Sequence, residues 1–510
     1  MEIENYDIAI IGSGLGGLMC GYILSQEGYK VIILEKNRQI GGNLQTFSRD
    51  RTLFDTGVHY IGGLEKGQTL YKFFKYFNLI DKIKLKRLDE DGFEQIYIGD
   101  NPVPYKYGMG YEKFKEILKS DFPEEGNAID SYCEKMQQIC RCFPMYNLEE
   151  GGSEAMIGQE VLYINAKKYF EELTPNVRLQ NVLAGTNILY AGDPEATPLY
   201  VHALVVNSYI ISSYRLIDGS SQIASLLTKQ IRNNGGKIKC LSEVSKLEMD
   251  QNDANVAYAV LTSGEKISAK TFIASNHPAK LMEMIETEKL RKAYKNRIVN
   301  LENSNSVFIL YVVLKKDSFP YLNYNVYSYK YEDVWTTATY TKDEWPLSFA
   351  LFSAAKSKNE NFSDGLSIMA YMDISELKEW DNTFNIVSRE DDRGESYNNF
   401  KTEKAEKLLD LVEKRFPGFR EKIKSYYVAT PLTYRDYIGT HDGALYGIKK
   451  DFRDPLRTFI STKTKIPNLF ITGQNLHMHG VYGVTVGAVM TVGEIIGHNY
   501  LLNKIKEANN

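Results

Sequence analysis

Apolar runs bounded by glycine mark both ends of this chain. Tyr6-Asp-Ile-Ala-Ile-Ile11 is short, nearly continuous in apolar residues and stops at Gly12, which predicts a buried strand. Helical spacing of apolar residues then runs to Gly28, and Lys30-Val-Ile-Ile-Leu34 predicts a second strand ending on the acid Glu35. Near the other end, Asn468-Leu-Phe-Ile-Thr472 predicts a third buried strand, and residues 481–497 predict a helix of small and apolar residues. The glycines in that helix, at 483, 487, 493 and 497, each cost about 1 kcal/mol relative to alanine unless close packing offsets them. A helix pressed against a neighbour is therefore expected. In the middle, residues 218–236 predict a capped helix with a glycine stop, 237–244 a strand, 245–270 a small meander turning at Ser263-Gly264, and 271–275 another buried strand. Residues 306–314 and 366–372 read as long alternating strands.

The first turn carries chemistry. Gly12-Ser-Gly14-Leu-Gly-Gly17 has the spacing G-x-G-x-x-G, directly after a strand and opening a helix, and Glu35 follows eighteen residues beyond Gly17. Gly12 permits a tight turn, Gly14 leaves room for a pyrophosphate, and Gly17 lets helix and strand pack closely. The helix N-terminus offers N–H donors and partial positive charge to phosphate, and Glu35 suits a ribose while its charge disfavours an adenosine 2′-phosphate. A second pair, Gly41-Gly42 before Asn43, strips the next loop of side chains where an extended cofactor would pass again.

At 510 residues the chain exceeds one compact core. A hydrophobic share of 43%, a charged share of 25% and a net charge of -4 describe a globular protein and give no support for a nucleic-acid partner. The five cysteines lack zinc spacing, and the first strand begins too early to leave room for a signal peptide. No apolar run reaches the ~18 residues of a membrane span. The expected location is cytoplasmic, with the inner face of the membrane as a place of peripheral contact.

Taken together, Gly12, Gly14, Gly17, Gly21, Leu24, Gly28, Val31, Glu35 and Gly41-Gly42 resemble the N-terminal signature of the FAD-dependent amine oxidase and phytoene desaturase superfamily, with Gly21 standing where alanine is common. The segment Arg51-Thr-Leu-Phe-Asp55-Thr-Gly57-Val-His59-Tyr60-Ile-Gly62-Gly63 looks like the all-trans-retinol 13,14-reductase branch and its bacterial relatives. The amine oxidase branch is disfavoured by Gln474-Asn475 after Thr472-Gly473. The resemblance implies an α/β fold: a doubly wound, Rossmann-like FAD-binding domain with an interleaved α+β substrate domain containing a mostly antiparallel sheet. The expected FAD domain is discontinuous (1–110, 206–300 and 451–510), and 111–205 with 301–450 form the substrate domain. It also implies FAD contacts at Gly12, Gly14, Leu15, Gly16, Gly17, Glu35, Lys36, Gly41, Gly42, Asn43, His59, Val244, Gly473, Gln474, Gly483 and Val484. The last helix would aim its N-terminus at the isoalloxazine ring.

The implied activity is oxidoreduction at C=C bonds of a lipophilic polyene or isoprenoid, with retinol-saturase-like reduction expected. A carotenoid desaturase, a reduced-FAD-dependent cis–trans isomerase and a non-catalytic prenyl-lipid carrier of the GDP-dissociation-inhibitor type are the alternatives. The electron donor or acceptor has no visible docking unit. Candidates for moving a proton are His59, Tyr60 and Tyr482, with His477 and His479 nearby; each also reads as a packing residue. His477-x-His479 has no third metal ligand in sight, so no metal is expected. Residues 69–87 interleave aromatic, aliphatic and basic side chains at helical spacing. That suits either interfacial contact with anionic lipid or a helix packing its aromatic face inward.

Overall fold

A computed structural model describes residues 4–151, 159–357 and 360–510 of the chain. Two seven-stranded sheets organise them. In the first, the strands Lys237–Lys239, Val31–Leu34, Asn5–Ile11 and Lys266–Ala274 lie side by side in parallel, and Leu469–Ile471 adds in parallel to the far half of Lys266–Ala274. Val256–Leu261 and Val244–Met249 continue the sheet in antiparallel fashion. Both faces are covered. Ile8, Ile10, Val31 and Ile33 pack into one core, while Ala9, Ile11, Ile32 and Leu34 pack into another. Burial on both faces is why these strands are continuous apolar runs rather than alternating ones. Helices Leu15–Gln26, Ser221–Asn233 and Gly480–Ile496 contribute to the first core, and Pro278–Glu283 to the second.

The second sheet runs Ile423–Ala429, Ser306–Leu314, Gly365–Met372, Ser348–Ser353, Asn325–Tyr329, Glu94–Ile98, Tyr105–Tyr107. Every pairing is antiparallel except Asn325–Tyr329 with Glu94–Ile98. One face joins the core shared with helices Leu15–Gln26, Ser221–Asn233 and Gly480–Ile496, and helix Gly394–Arg415 covers the other. Mixed α/β architecture, with one largely parallel and one largely antiparallel sheet, agrees with the expected fold class.

Several local expectations are corrected. Residues 237–244 are not one strand: Lys237–Lys239 and Val244–Met249 stand at opposite ends of the first sheet. The chain leaves the sheet between them through Leu241, whose φ is +53, and is held there by bonds from the Leu241 and Ser242 N–H groups to the carbonyls of Asn37 and Glu35. The meander's last strand and residues 271–275 form one strand, Lys266–Ala274. Ser306–Leu314 and Gly365–Met372 are buried along their whole length, not on alternate residues, because helix Gly394–Arg415 covers their second face. The strands Glu94–Ile98 and Tyr105–Tyr107 belong to the second sheet although they lie inside 1–110, and helix Leu199–Ile211 runs across the boundary drawn at 205.

Residues 69–87 are not one amphipathic helix. The helix covers only Thr69–Tyr76 and stops where Asn78 takes a φ of +54, and Leu85–Arg87 pairs with Ser213–Leu216. Leu70, Phe73, Phe74 and Phe77 are fully buried, so the aromatic face packs inward and is not offered to lipid. Among the described residues no helix is long and apolar enough to cross a membrane.

Candidate active site

The fingerprint turn has the predicted construction. Gly12 has φ +98, a conformation L side chains rarely adopt. A Cβ on Gly17 would lie 2.1 Å from the carbonyl oxygen of Gly12, so helix and strand meet backbone to backbone there. Gly14 has ordinary extended dihedrals (φ −61°, ψ 172°), and a Cβ on it would meet nothing within 4 Å. Its lack of a side chain is explained by neither strain nor packing, which leaves room for a ligand. The second glycine pair lies against the first: Gly41 pairs with Gly14 in a parallel bridge and donates its N–H to the Ser13 carbonyl at 3.1 Å. A Cβ on Gly42 would come within 3.2 Å of Gly14 Cα.

Glu35 ends its strand beside this loop, 6% exposed. It accepts from the Ser13 N–H (2.9 Å) and hydroxyl (2.6 Å) and from the Asn37 N–H (2.8 Å). Lys36 points away and donates to the Asp436 carbonyl at 2.8 Å; burial lowers its pKa. Val244, at the start of its strand, is buried. Asn43 Oδ1 is buried without a hydrogen-bond partner.

The far end of the chain comes against the same turn. Gly473 has φ +105, and a Cβ on Gly16 would stand 3.2 Å from its N and Cα, so the two terminal motifs touch. Leu15 is buried at the helix start, Gln474 is half-buried, and Val484 is buried in the first turns of helix Gly480–Ile496. Crowding in that helix is uneven. A Cβ on Gly483 would come within 2.6 Å of Met478, and one on Gly493 within 2.4 Å of His498, whereas one on Gly487 would make ordinary contact with Gly473 at 3.7 Å.

Gly57, His59, Tyr60 and Gly62 share one cavity of about 100 Å³ with Gly480, Val481, Tyr482 and Gly483. Its remaining walls are mostly apolar, from Leu204, Val205, Phe352, Met369 and Met478 among others. His59 stacks on Phe352 at 4.7 Å, and its Nε2 has no partner. Burial, together with the positive charge of Arg215, holds its pKa down to about 4. Tyr482 donates to the Tyr146 carbonyl at 2.7 Å, and burial raises its pKa. His479 bonds the Leu189 carbonyl through Nε2 at 3.0 Å, while His477 sits elsewhere, against Phe459, with both ring nitrogens unpartnered. Among the described residues no group of three or more His, Cys, Asp or Glu is arranged to hold a metal.

Glu94 is the residue that sequence reasoning missed. It is 1% exposed, and its Oε1 accepts from the Tyr60 hydroxyl at 2.7 Å; the Tyr60 and Tyr327 hydroxyls are also 2.7 Å apart. Burial pushes its carboxyl up to about 8, against the lowering effect of Tyr60, Asn325 and Arg215. Arg215, equally buried, donates to the Tyr324 carbonyl and Asn325 Oδ1, both at 2.7 Å, and to the Tyr321 hydroxyl and Leu322 carbonyl. The only sequence signal was an acid opening an apolar strand at Phe93-Glu94.

Comparison with known proteins agrees with this geometry. Residues 10–77 match the family model described as an NAD(P)-binding Rossmann-like domain. The chain is 26% identical to an all-trans-retinol 13,14-reductase of Homo sapiens, over 97% of this chain and 86% of that protein. It is 23% identical to the chloroplastic prolycopene isomerase 2 of an Oncidium hybrid cultivar, over 96% of this chain and 83% of that one. A solved structure of putrescine oxidase bound to putrescine shares the fold, with a TM-score of 0.65 at 12% identity over 97% of this chain and 99% of the other. The resemblance read from the sequence is borne out across nearly the whole chain.

Proposed function

From a chain related over nearly its whole length to retinol 13,14-reductases and prolycopene isomerases, we infer an FAD-dependent oxidoreductase acting on C=C bonds of a lipophilic polyene, in the reducing direction. The observation that carries this reading is a small, largely apolar cavity walled by residues 57–62 and the N-terminus of helix Gly480–Ile496, in a chain whose two terminal glycine motifs touch at Gly16 and Gly473. The open space at Gly14, the adjacent Glu35 carboxylate and the unpartnered Asn43 Oδ1 fit the pyrophosphate, the ribose and a polar edge of an extended dinucleotide. Gly12, Leu15, Gly16, Gly17, Gly41, Gly42, Val244, Gly473, Gln474, Gly483 and Val484 would complete the contact set, with His59 on the cavity wall. Lys36, turned to Asp436, supports the loop from outside. FAD, when bound, supplies or takes the hydride.

The protein's own work is placement and proton transfer. Phe352, Met369 and Val205 hold an apolar substrate and exclude water. Reduction adds a hydride to one alkene carbon and a proton to its neighbour. Tyr60 on the cavity wall gives that proton, and Glu94 behind it restores the hydroxyl. Buried neutral histidines do not compete for the role.

Anaerobic protein reduced with dithionite and mixed with all-trans-retinol tests the reading. The expected product is heavier by two hydrogens and absorbs at higher energy; reoxidised flavin accompanies it. The similarity to a prolycopene isomerase favours one second reading, cis–trans isomerisation, which would leave mass and flavin redox state unchanged. An intact fingerprint with ligand space at Gly14 argues against a non-catalytic lipid carrier.

A further inference from the structure

A second and larger cavity lies outside the fingerprint turn, with Gln39 and Gln45, on either side of the Gly41-Gly42 loop, forming part of its wall. Its volume is about 530 Å³, more than five times that of the active-site cavity and within the range of about 300–1,000 Å³ typical of small-molecule sites. It is bordered by strand Thr46–Arg49, Thr56, Tyr311, the edge strand Ile423–Ala429, helix Pro431–Ile438 and the first turns of helix Gly394–Arg415. Phe47, Tyr311, Tyr427 and Tyr434 give it aromatic walls.

Its charge is one-sided. Arg49 and Lys401 both line it, and among the described residues neither has a carboxylate within ion-pair distance. The Arg49 guanidinium rests over Phe47 and Tyr427 at 5.3 and 5.6 Å, and the Lys401 ammonium over Tyr397 at 4.7 Å. Burial and the neighbouring Arg393 lower the pKa of Lys401, so its charged form lacks a compensating partner. Aromatic and aliphatic walls interrupted by Gln39, Gln45, Asn398 and four threonines, with two cations that have no carboxylate partner, fit a molecule with a long apolar body and one anionic end. No carboxylate side chain lines the cavity to repel such an end.

We propose that this cavity is a binding site for a long-chain carboxylate, with its tail against Phe47, Tyr311 and Tyr434 and its head between Arg49 and Lys401. The site is separate from the active-site cavity but shares a wall with it. Tyr434 donates to the Thr56 carbonyl at 2.7 Å, and the next residue, Gly57, lines the smaller cavity. An occupant would therefore brace the segment that carries His59 and Tyr60.

Isothermal titration of the purified full chain with oleate, and with oleyl alcohol as its uncharged counterpart, tests the site without reference to turnover or cofactor. Oleate should bind one to one and at least fivefold more tightly than the alcohol. Arg49→Glu and Lys401→Glu, both at accessible positions, should each weaken oleate at least fivefold and leave the alcohol unchanged. Equal binding of the two ligands, or oleate binding that neither charge reversal alters, would overturn the proposal.

Discussion

Replacing Glu94 with glutamine should change how stability depends on pH. The wild-type carboxyl is buried between Tyr60, Tyr327 and Asn325, with Arg215 as the nearest charge, and titrates at about 8 in place of 4.5. A raised carboxyl pKa means that the native state keeps a proton which the unfolded chain releases. This contribution to stability is therefore fully present below pH 4.5 and is lost as pH rises to about 8. The loss is about 1.4 kcal/mol per pH unit, reaching about 5 kcal/mol over that window. Glutamine copies the shape of the neutral acid and has no proton to lose. Near pH 4.5 the two proteins should differ by only ~1 kcal/mol, and by pH 8 the variant should be the more stable by several. Urea unfolding followed by tryptophan fluorescence from pH 4.5 to 9 measures this directly. Parallel profiles would refute the buried neutral acid, and with it the proton source proposed for Tyr60. A more stable but slower enzyme would support both.

Three further outcomes follow from the geometry. Gly14→Ala should fold normally, since its Cβ enters open space at φ −61°, yet lose cofactor; Gly17→Ala should lose stability instead, because its Cβ would overlap the Gly12 carbonyl. Cofactor content against melting temperature separates the two. Val481→Asp places an acid in the first turn of helix Gly480–Ile496 and should make the bound cofactor harder to reduce, by about 1–3 kcal/mol in a potentiometric titration. The same substitution at Gly483 would meet Met478 and report on folding alone. Tyr60→Phe should keep substrate binding and lower turnover by about 100-fold or more, as seen in single-turnover kinetics.

What the sequence disclosed was local. The strands Asn5–Ile11 and Val31–Leu34, the fingerprint turn and helix Gly480–Ile496, which is followed by the last helix His498–Glu507, are each specified by residues a few positions apart. Glycine positions that need φ above zero or a backbone contact, such as Gly12 and Gly17, state their reason in one turn of chain. Glu94 states nothing of the kind. Its meaning comes from Tyr60, thirty-four residues earlier, and from Tyr327 on a strand that pairs with its own in parallel. Residues 69–87 misled for a related reason. Their periodicity is real only over Thr69–Tyr76; the tail is drawn into a strand by Ser213–Leu216, a partner more than a hundred residues away. The reading of 237–244 as one strand failed because bonds to Glu35 and Asn37 outcompete local strand propensity.

The electrostatics of the cavity narrow its chemistry further. Burial lowers the pKa of His59 and His479 on the wall to about 4, and that of His477 outside it to about 3, so all three imidazoles are neutral at physiological pH. Tyr60 and Tyr482 are held well above ordinary phenols, and Glu94 keeps its proton up to about 8. The nearby cations are then Arg215, spent on four oxygen acceptors behind the wall, and the buried Lys450, which donates to the Thr458, Asn475 and Leu476 carbonyls and whose pKa burial lowers to about 7. A cavity so depleted of charge penalises an ionic substrate by the full desolvation cost and takes an uncharged polyene at little cost. Two polar features remain on the wall: the N-terminus of helix Gly480–Ile496 favours negative charge beside it, and in the proposed mechanism a neutral acid reached through Tyr60 offers a proton. The proposed addition of hydride and proton to neighbouring carbons draws on both features. The same burial also explains why the histidines, the obvious acid candidates in the sequence, are better suited to shaping the site than to titrating in it.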